Sequence, residues 1–241
     1  RTADVGFTAF GRLKRKDLVI NKIRSGQVII GFESYGQSTY ETEYNSGIGS
    51  NGLTMARHEL FHHDYADKYE ETYAPQIDRK YVYTGKFKVD DNVIIGGRNH
   101  PIGKLALSPT RTYLPVLNEI LKNHKESIHG IIHATGGGHT KVLKYCDAPV
   151  HILKDTLFEF PPIFDIIQKS TDTSLAEMYK VFNMGTRLEL YIDAEAAASI
   201  IEISARFNIR AQVIGRVEGS KDNSLSVTVI ANTETLVYQE K

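Results

Sequence analysis

The sequence predicts an α+β fold built from mixed α/β layers. Short apolar runs typical of strands, such as Gln27–Ser34 and Ile128–Ala134, alternate irregularly with amphipathic segments typical of helices. The chain has 241 residues, of which 41% are hydrophobic and 24% charged, as in ordinary globular proteins. A chain of this length can bury a substantial core, and we find no internal repeat or low-complexity tract in it.

Composition and charge argue against several functional classes. Lys and Arg together number 29, as do Asp and Glu, so no overall field attracts nucleic acid or an anionic membrane surface. The single Cys146 excludes an internal disulfide framework and a cysteine-based zinc site, and it fits a reducing compartment. No apolar run reaches the roughly 18 residues that span a bilayer. We therefore expect a cytoplasmic protein without nucleic-acid or membrane partners.

The first half of the chain contains few periodic segments. Gln27–Ser34 is apolar at most positions and predicts a buried strand, and Ala3–Leu13 predicts a strand of mixed pattern. Tyr35–Gly49 is rich in Gly, Ser, Tyr and Asn and predicts a long loop. Ser50 or Asn51 should cap a helix that runs to about Asp64. Tyr65–Val93 is expected to hold a short helix and a hairpin.

The second half alternates between predicted helices and strands. Prolines, capping residues and apolar spacing define the helices, and short apolar or alternating runs define the strands. The predicted helices are Tyr113–Asn123 opened by Pro109-Thr110, His139–Tyr145, one beginning at Pro161-Pro162, Ser174–Phe182 and Ala194–Phe207. The predicted strands are Ile128–Ala134, Val150–Leu153, Arg187–Ile192, and the pair Ala211–Val217 and Leu225–Ile230, which we expect to form a hairpin across Gly219–Asn223.

The candidate site centres on the turn Thr135-Gly136-Gly137-Gly138, which follows the strand Ile128–Ala134. Glycines between a strand and a helix expose backbone N–H groups near the positive end of a helix dipole, an arrangement that suits an anion. The turn matches neither the G-x-G-x-x-G fingerprint nor a P-loop, and it could serve only to bend the chain. Ser50-Asn51-Gly52 and Pro109-Thr110-Arg111 place further polar groups at predicted helix starts, although an arginine in a turn is often simply solvated.

The run His58-Glu59-Leu60-Phe61-His62 is a literal H-E-x-x-H. On a helix it could hold zinc, with the glutamate activating a water molecule. A third ligand could only be guessed among four acidic residues, Asp64, Glu70, Glu71 and Asp78. The alternative is a solvated helix end, and we assign no metal ligand and no catalytic residue from the sequence.

Two further residues have a structural and a functional interpretation. Asn183-Met184-Gly185 is typical of a helix C-cap with Gly185 in the left-handed region, yet the Asn183 amide could also contact a ligand. His133 precedes the glycine turn and is expected to be a core histidine with its hydrogen bonds satisfied rather than a catalytic residue.

Six blocks of the chain, taken in order, resemble the phosphoribosylformylglycinamidine cyclo-ligases, also called aminoimidazole ribonucleotide synthetases. The blocks are Ser34-Tyr35-Gly36, Ser50-Asn51-Gly52-Leu53, Pro109-Thr110-Arg111, His129 to Gly138, Phe182-Asn183-Met184-Gly185 and Ile214-Gly215-Arg216-Val217. The resemblance implies a C-terminal domain of that type over residues 25–241. Residues 1–24 would be the last strand of an ATP-binding N-terminal domain and a linker, so we expect an incomplete chain. Gly49 stands where the common form of the family has a histidine, and residues 37–49 resemble an insertion.

The activity implied by this resemblance is ATP-dependent cyclisation of formylglycinamidine ribonucleotide in purine biosynthesis. The formyl oxygen would accept the terminal phosphoryl group, and a nitrogen of the same substrate would then close the imidazole ring. ATP and Mg²⁺ would bind mainly in the N-terminal domain, and the full-length enzyme would be a homodimer. Ten residues would bind substrate or phosphate: Ser50, Asn51, Gly52, Thr110, Arg111, Thr135, Gly136, Gly137, Gly138 and Asn183. The alternatives are a non-catalytic phosphate-binding module of the same superfamily and a zinc peptidase.

Overall fold

The computed structural model describes Gly6, residues 8–49 and residues 52–239, and it has the predicted α+β architecture. Nine strands are assigned within these residues: β1 Val28–Glu33, β2 Asn92–Ile95, β3 Arg98–Pro101, β4 Ile128–His133, β5 Val150–Lys154, β6 Thr186–Ile192, β7 Ala211–Gly219, β8 Ser226–Ala231 and β9 Glu234–Gln239. Seven of them form one sheet in the order β4-β6-β1-β7-β5-β8-β9, while β2 and β3 form a separate hairpin. The β5–β8 pair is parallel and the other pairs of the large sheet are antiparallel.

Helices cover both faces of the large sheet. The α-helices are α1 Leu53–Leu60, α2 Asp64–Lys68, α3 Ile102–Ala106, α4 Leu114–His124, α5 Pro162–Thr171, α6 Leu175–Val181 and α7 Ala197–Arg206. Helices α4 and α7 bury Val116 and Ile200 against one face. Helices α1, α3, α5 and α6 contribute to a second core on the other face, which includes Ile29 and Tyr191. Two hydrophobic layers therefore enclose the sheet.

Strand β6 lies between β4 and β1, and all seven of its residues are buried. Leu188 and Leu190 belong to the core beneath α4 and α7, whereas Tyr191 belongs to the opposite core. Since successive side chains of a strand point to opposite faces, Arg187 and Glu189 lie on the same face as Tyr191. These two charged residues are 1% exposed and must find their polar partners inside the protein.

The structure corrects the predicted topology of the last strands. β7 and β8 do not form a hairpin, because β5 lies between them and pairs with both. Instead, β8 pairs with β9, a strand that the sequence analysis missed. The β8–β9 turn places Asn232 and Thr233 at positive φ. The predicted strand Ala3–Leu13 is not formed by its described residues, Gly6 and 8–13, which have no strand partner.

Several predicted helices have different limits. The helix expected to end near Asp64 stops at Leu60, because Phe61 and His62 bridge to Phe87 and Gly85. The helix predicted over Tyr113–Asn123 is formed by Leu114–His124, so its limits differ by one residue at each end. The segment after the glycine turn, Gly138–Lys144, is a 3-10 helix. Across the part of the chain that the structure describes, no helix has both the length and the hydrophobicity to span a membrane.

Two glycines of β7 provide a test of the packing between central strands. A Cβ atom at Gly215 would lie 2.0 Å from the Leu153 carbonyl oxygen of β5, whereas the nearest atom at Gly219 would be 4.0 Å away. Because the obstruction is backbone, we expect Gly215→Ala to lower the free energy of unfolding by about 1–3 kcal/mol. Gly219→Ala is the matched control and should be near neutral. Urea denaturation measures both, and equal stabilities for the two variants would contradict this packing.

Candidate functional site

Three chain segments meet at one end of the sheet, where β1 and β4 finish and β6 begins. In the antiparallel pairing, Glu33 of β1 lies opposite Thr186, and His133 of β4 lies opposite Leu188. The loop 45–49, the turn 134–138 and the turn 183–185 therefore come together at this edge. The sequence predicted candidate residues in the two turns and directly after the loop, and the strand pairing explains why these segments are neighbours.

Arg187 joins these segments through its buried guanidinium group. Its Nη1 donates to the Ala134 carbonyl at 3.2 Å, and its Nη2 donates to the Gly47 and Ile48 carbonyls at 2.9 and 3.0 Å. The Arg187 carbonyl in turn accepts from the Ala134 N–H at 2.7 Å. One side chain thus holds the loop before α1 against the end of β4. The sequence analysis did not single out Arg187.

Asn183 provides a second link to the same loop. Its side-chain amide donates to the Gly47 carbonyl at 2.8 Å and accepts from the Gly185 N–H at 3.1 Å. Gly185 has a φ of +97°, as predicted for the end of this turn. Gly52 packs against Phe182, the residue before Asn183, because a Cβ atom at Gly52 would lie 2.3 Å from the Phe182 ring. The buried Asn183 amide therefore already has two partners, and its contact with a ligand stays a prediction.

Thr110 and Arg111 approach the edge from the segment before α4. A Cβ atom at Gly49 would lie 2.9 Å from the Thr110 hydroxyl, which places Thr110 beside the loop. The Arg111 guanidinium binds both carboxylate oxygens of Glu41, at 3.0 and 2.8 Å, and donates to the Glu33 carbonyl at 3.1 Å. Arg111 is therefore not simply solvated. Its charge is balanced by Glu41, and its role toward a phosphate stays a prediction.

The glycine turn is open at Gly136 and Gly137 and closely packed at Gly138. Gly136 is exposed, and a Cβ at Gly137, which has a φ of +85°, would meet no atom closer than 3.5 Å. At Gly138 a Cβ would lie 2.4 Å from the Phe182 and Tyr179 carbonyl oxygens, so only glycine fits there. Because a short 3-10 helix follows, the expected contribution of an α-helix dipole is not supported. The Lys141 ammonium instead bonds the Thr135 hydroxyl at 2.7 Å.

The site carries surplus positive charge. No carboxylate of the described residues lies within ion-pairing distance of Arg187 or Lys141. Burial, followed by the charges of Arg187 and Lys141, lowers the pKa of His133 to about 4. Burial, Lys144 and Arg187 likewise lower the pKa of Lys141. The His133 Nε2 is buried and has no partner among the described residues, so this histidine is not the satisfied core residue that we expected.

A buried polar network lies directly behind the glycine turn. The Lys154 ammonium bonds the Glu189 carboxylate at 2.5 Å and the His139 carbonyl at 2.9 Å. The other oxygen of Glu189 accepts from the Tyr191 hydroxyl at 2.9 Å. The His139 ring bonds the Asn183 carbonyl at 3.0 Å, and burial with the charge of Lys154 holds its pKa well below the usual value. The network therefore connects β5 and β6 to both turns of the site.

The H-E-x-x-H motif does not form a metal site. His58 lies in α1, but the helix ends at Leu60, so His62 is not one helical turn away on the same face. The His58 Nδ1 instead accepts from the Tyr83 N–H at 3.4 Å. Within Gly6, 8–49 and 52–239, no group of three or more His, Cys, Asp or Glu residues could hold a metal ion. The described residues therefore do not support the zinc peptidase hypothesis.

Most of the predicted site residues lie together. Gly52, Thr110, Arg111, Thr135, Gly136, Gly137, Gly138 and Asn183 all belong to the segments that meet at this edge. Ser50 and Asn51 lie outside the described residues. The sequence analysis missed four polar residues that hold the site or charge it, which are Lys141, Lys154, Arg187 and Glu189. For Arg187 and Glu189, the only signal in the sequence was the presence of two charged residues in an otherwise apolar strand.

A cavity of about 660 Å³ opens next to the site. The loop residues Tyr40 to Asn45 form one wall, and residues 99–101, 104–105 and 107–109 form the other. The cavity reaches Glu41, the partner of Arg111, and Pro109, the neighbour of Thr110.

The fold and this edge define an α+β domain in which glycine turns and buried cations are collected at one end of a mixed sheet. The family described as AIR synthase related protein, C-terminal domain, matches residues 24–228. The chain belongs to this family. The division at residues 24 and 25 between an N-terminal strand with its linker and the C-terminal domain stays a prediction.

Curated relatives agree with this assignment. The chain is 30% identical over 218 residues to the phosphoribosylformylglycinamidine cyclo-ligase of Methanocaldococcus jannaschii. The matched region covers 90% of this chain and 52% of that protein. It is 32% identical over 216 residues to the enzyme of the same name from Methanococcus vannielii, covering 89% and 51%. The chain thus spans about half the length of these relatives. Thermotoga maritima PurL complexed with FGAR gives a TM-score of 0.47 at 13% identity, over 93% of this chain and 29% of that one. The assignment depends on the sequence relatives.

The buried Lys154–Glu189 pair provides a test of the network. We expect Lys154→Met to lower the free energy of unfolding by about 3–5 kcal/mol, because it leaves a buried carboxylate without its cation. The double variant Lys154→Met/Glu189→Leu should recover part of this loss, since no unpaired charge remains. Urea denaturation of the two variants and the parent checks both expectations. A double variant less stable than Lys154→Met would contradict them.

His133 predicts a specific dependence of stability on pH. Its pKa in the folded protein is about 4, below the ordinary value of 6.5, so the unfolded chain binds a proton that the folded chain does not. The contribution of neutral His133 to the free energy of unfolding is fully present above pH 6.5 and is lost as the pH falls from 6.5 to 4. His133→Gln should make this part of the pH profile shallower, while His139 continues to contribute. Urea titrations at several pH values measure the difference, and an unchanged profile would be the contrary result.

Proposed function

We propose that this chain is the phosphate-binding, substrate-orienting part of an ATP-dependent cyclo-ligase that converts formylglycinamidine ribonucleotide to aminoimidazole ribonucleotide. The observation that carries the proposal is the surplus positive charge at the edge where the glycine turn, the loop 45–49 and Thr110 meet. Membership in the AIR synthase family and the names of the curated relatives support the same activity.

The geometry suits an anionic substrate. The exposed Gly136 and the open Gly137 leave backbone N–H groups accessible, and the Thr135 hydroxyl is held by Lys141. A phosphate bound there would gain charge-assisted hydrogen bonds and would offset the mutual repulsion of Lys141 and Arg187. It would also raise the pKa of His133, because a nearby anion stabilises the protonated imidazole. The adjoining cavity would take the rest of the ribonucleotide.

This chain would contribute mainly positioning to the reaction. In the proposed cyclisation, the phosphorylated formyl oxygen leaves as phosphate when the substrate nitrogen closes the ring. Little covalent chemistry is required of the protein, so holding the two reacting groups of one substrate close together supplies most of the acceleration. A phosphate fixed at the glycine turn and a substrate body held by the cavity walls would achieve this alignment. We assign no general acid or base to the described residues.

The partners of this reaction are also proposals. ATP would be the co-substrate and Mg²⁺ its companion ion, both held mainly by the part of the enzyme that corresponds to the other half of the curated relatives. The described residues do not fit a metal, since no suitable group of ligands is found among them, and we derive no step through Mg²⁺ here. We further propose a cytoplasmic location and a homodimer in the full-length enzyme.

The decisive experiment is turnover by the longest native form of the protein. Formation of the imidazole from formylglycinamidine ribonucleotide, with one ATP consumed per ring, is the expected result. Binding of the ribonucleotide without ATP consumption would favour the non-catalytic phosphate-binding module instead. Absence of binding would overturn the proposed site.

Two glycines at positive φ test the glycine turn directly. Gly137→Ala should weaken phosphate binding by about tenfold or more, because the added methyl group lies on the open backbone that an anion would approach. Gly97→Ala is the matched control, since Gly97 also has a positive φ (+77° against +85°) and open space around it, but it lies in the β2–β3 hairpin. Both variants place an alanine at positive φ, so both are strained. Calorimetric titration with ribose 5-phosphate should therefore separate them, and equal affinities would remove the turn from the site.

A further inference from the structure

We infer that Arg187 is a positioning residue: from β6 it fills the space that a side chain at position 49 would occupy, and it fixes the loop 47–49 against the glycine-turn segment. The inference deepens the proposed function, because it names what orders and charges that same anion site. No ligand contact is assigned to Arg187 itself.

The first support is the set of groups that the guanidinium binds. Three backbone carbonyls, those of Gly47, Ile48 and Ala134, accept from its two terminal nitrogens. Two of these carbonyls belong to the loop and one to the segment that leads into the glycine turn. Without the guanidinium, the buried Ile48 and Ala134 carbonyls would lose their donor, and the Gly47 carbonyl would keep only the Asn183 amide. The hydrogen bonds that join the two segments would be lost.

The second support is the space at Gly49. A Cβ atom at this residue would lie 2.3 Å from Nη2 of Arg187 and 2.9 Å from its Cζ. Gly49 also has a φ of +60°, which glycine adopts at little cost. The guanidinium and a side chain at position 49 therefore exclude each other. A cation from β6 thus occupies the space beside Gly49.

The third support is the balance of charge. Arg187 is 1% exposed, so a ligand cannot reach it, yet no carboxylate among the described residues pairs with it. Its Nε is buried and has no hydrogen-bond partner in that part of the chain. Two other buried cations near the site are paired, Lys154 with Glu189 and Arg111 with Glu41. Arg187 consequently leaves a net positive charge beneath the segments that form the anion site.

The side-chain chemistry explains why arginine suits this position. A guanidinium is planar and directs its donors in a fixed fork, so one group can bond carbonyls from two segments at once. A lysine ammonium carries the same charge but directs its three donors from a single atom. Arg187→Lys and Arg187→Met therefore separate charge from geometry, because the first keeps the charge and the second removes both.

The first test measures the charge and the geometry of residue 187 separately in the full chain, through the pKa of His133 and the affinity for phosphate. Arg187→Met should raise the pKa of His133 from about 4 toward its ordinary value, and Arg187→Lys should leave it low, as followed by NMR of the imidazole. Phosphate affinity, titrated with ribose 5-phosphate, should fall by about tenfold or more in both variants, because both lose the fork that holds the loop. Parent-like affinity in both variants would overturn the positioning role. If the parent itself does not bind ribose 5-phosphate, the proposed function fails instead.

The second test does not depend on any ligand. Gly49→Ala should lower the urea midpoint strongly in the parent and less in an Arg187→Ala background, because removing the guanidinium frees the space for the methyl group. The backbone strain at position 49 is common to both backgrounds and cancels in the comparison. Equal shifts in the two backgrounds would overturn the inferred exclusion between Arg187 and position 49, whatever the outcome of the binding experiment.

Discussion

The structure of the site depends on the burial of β6 on both faces. A strand between two neighbours and beneath two helical layers has no access to water, so each charged side chain in it needs an internal partner. Arg187 and Glu189 find such partners in different ways. Glu189 pairs with Lys154, while Arg187 bonds backbone carbonyls. The Glu189–Lys154 pair and the hydrogen bonds of Arg187 thus link β6 to the turns at its end.

The two arrangements have different electrostatic consequences. The Lys154–Glu189 pair is neutral overall, so its contribution is to fix the position of the 3-10 segment through the His139 carbonyl. Arg187 is neutralised by no carboxylate among the described residues, so its charge extends to its surroundings. Burial is the main cause of the lowered pKa of His133 and of Lys141, and the charge of Arg187 lowers both further. In a medium of low dielectric constant such a charge acts over several ångströms. Lys154 thus stabilises the framework, whereas Arg187 also contributes to the positive electrostatic potential of the site.

The sequence predicted the fold class and most strands because the apolar runs are long enough to be recognised without context. It could not predict the order of strands, since the simplest partner for β7 was the next strand along the chain, whereas β5 is inserted between them. Helix ends were missed for the same reason. The end of α1 depends on Phe61 bridging to Phe87, a contact between distant residues that leaves no local signal. Local patterns define elements, and tertiary contacts define their partners and limits.

The site shows the same division between local and distant information. The glycines and the Asn183 turn could be predicted because turns need particular residues at particular positions. Arg187 could not be predicted, because an alternating strand suggests that its polar residues face water, and only the second helical layer shows otherwise. Gly49 illustrates the consequence for motifs. A motif compares residues at one position, but the space at position 49 is filled by a group from β6. The glycine at position 49 is therefore explained by a cation that is distant in sequence and adjacent in the fold.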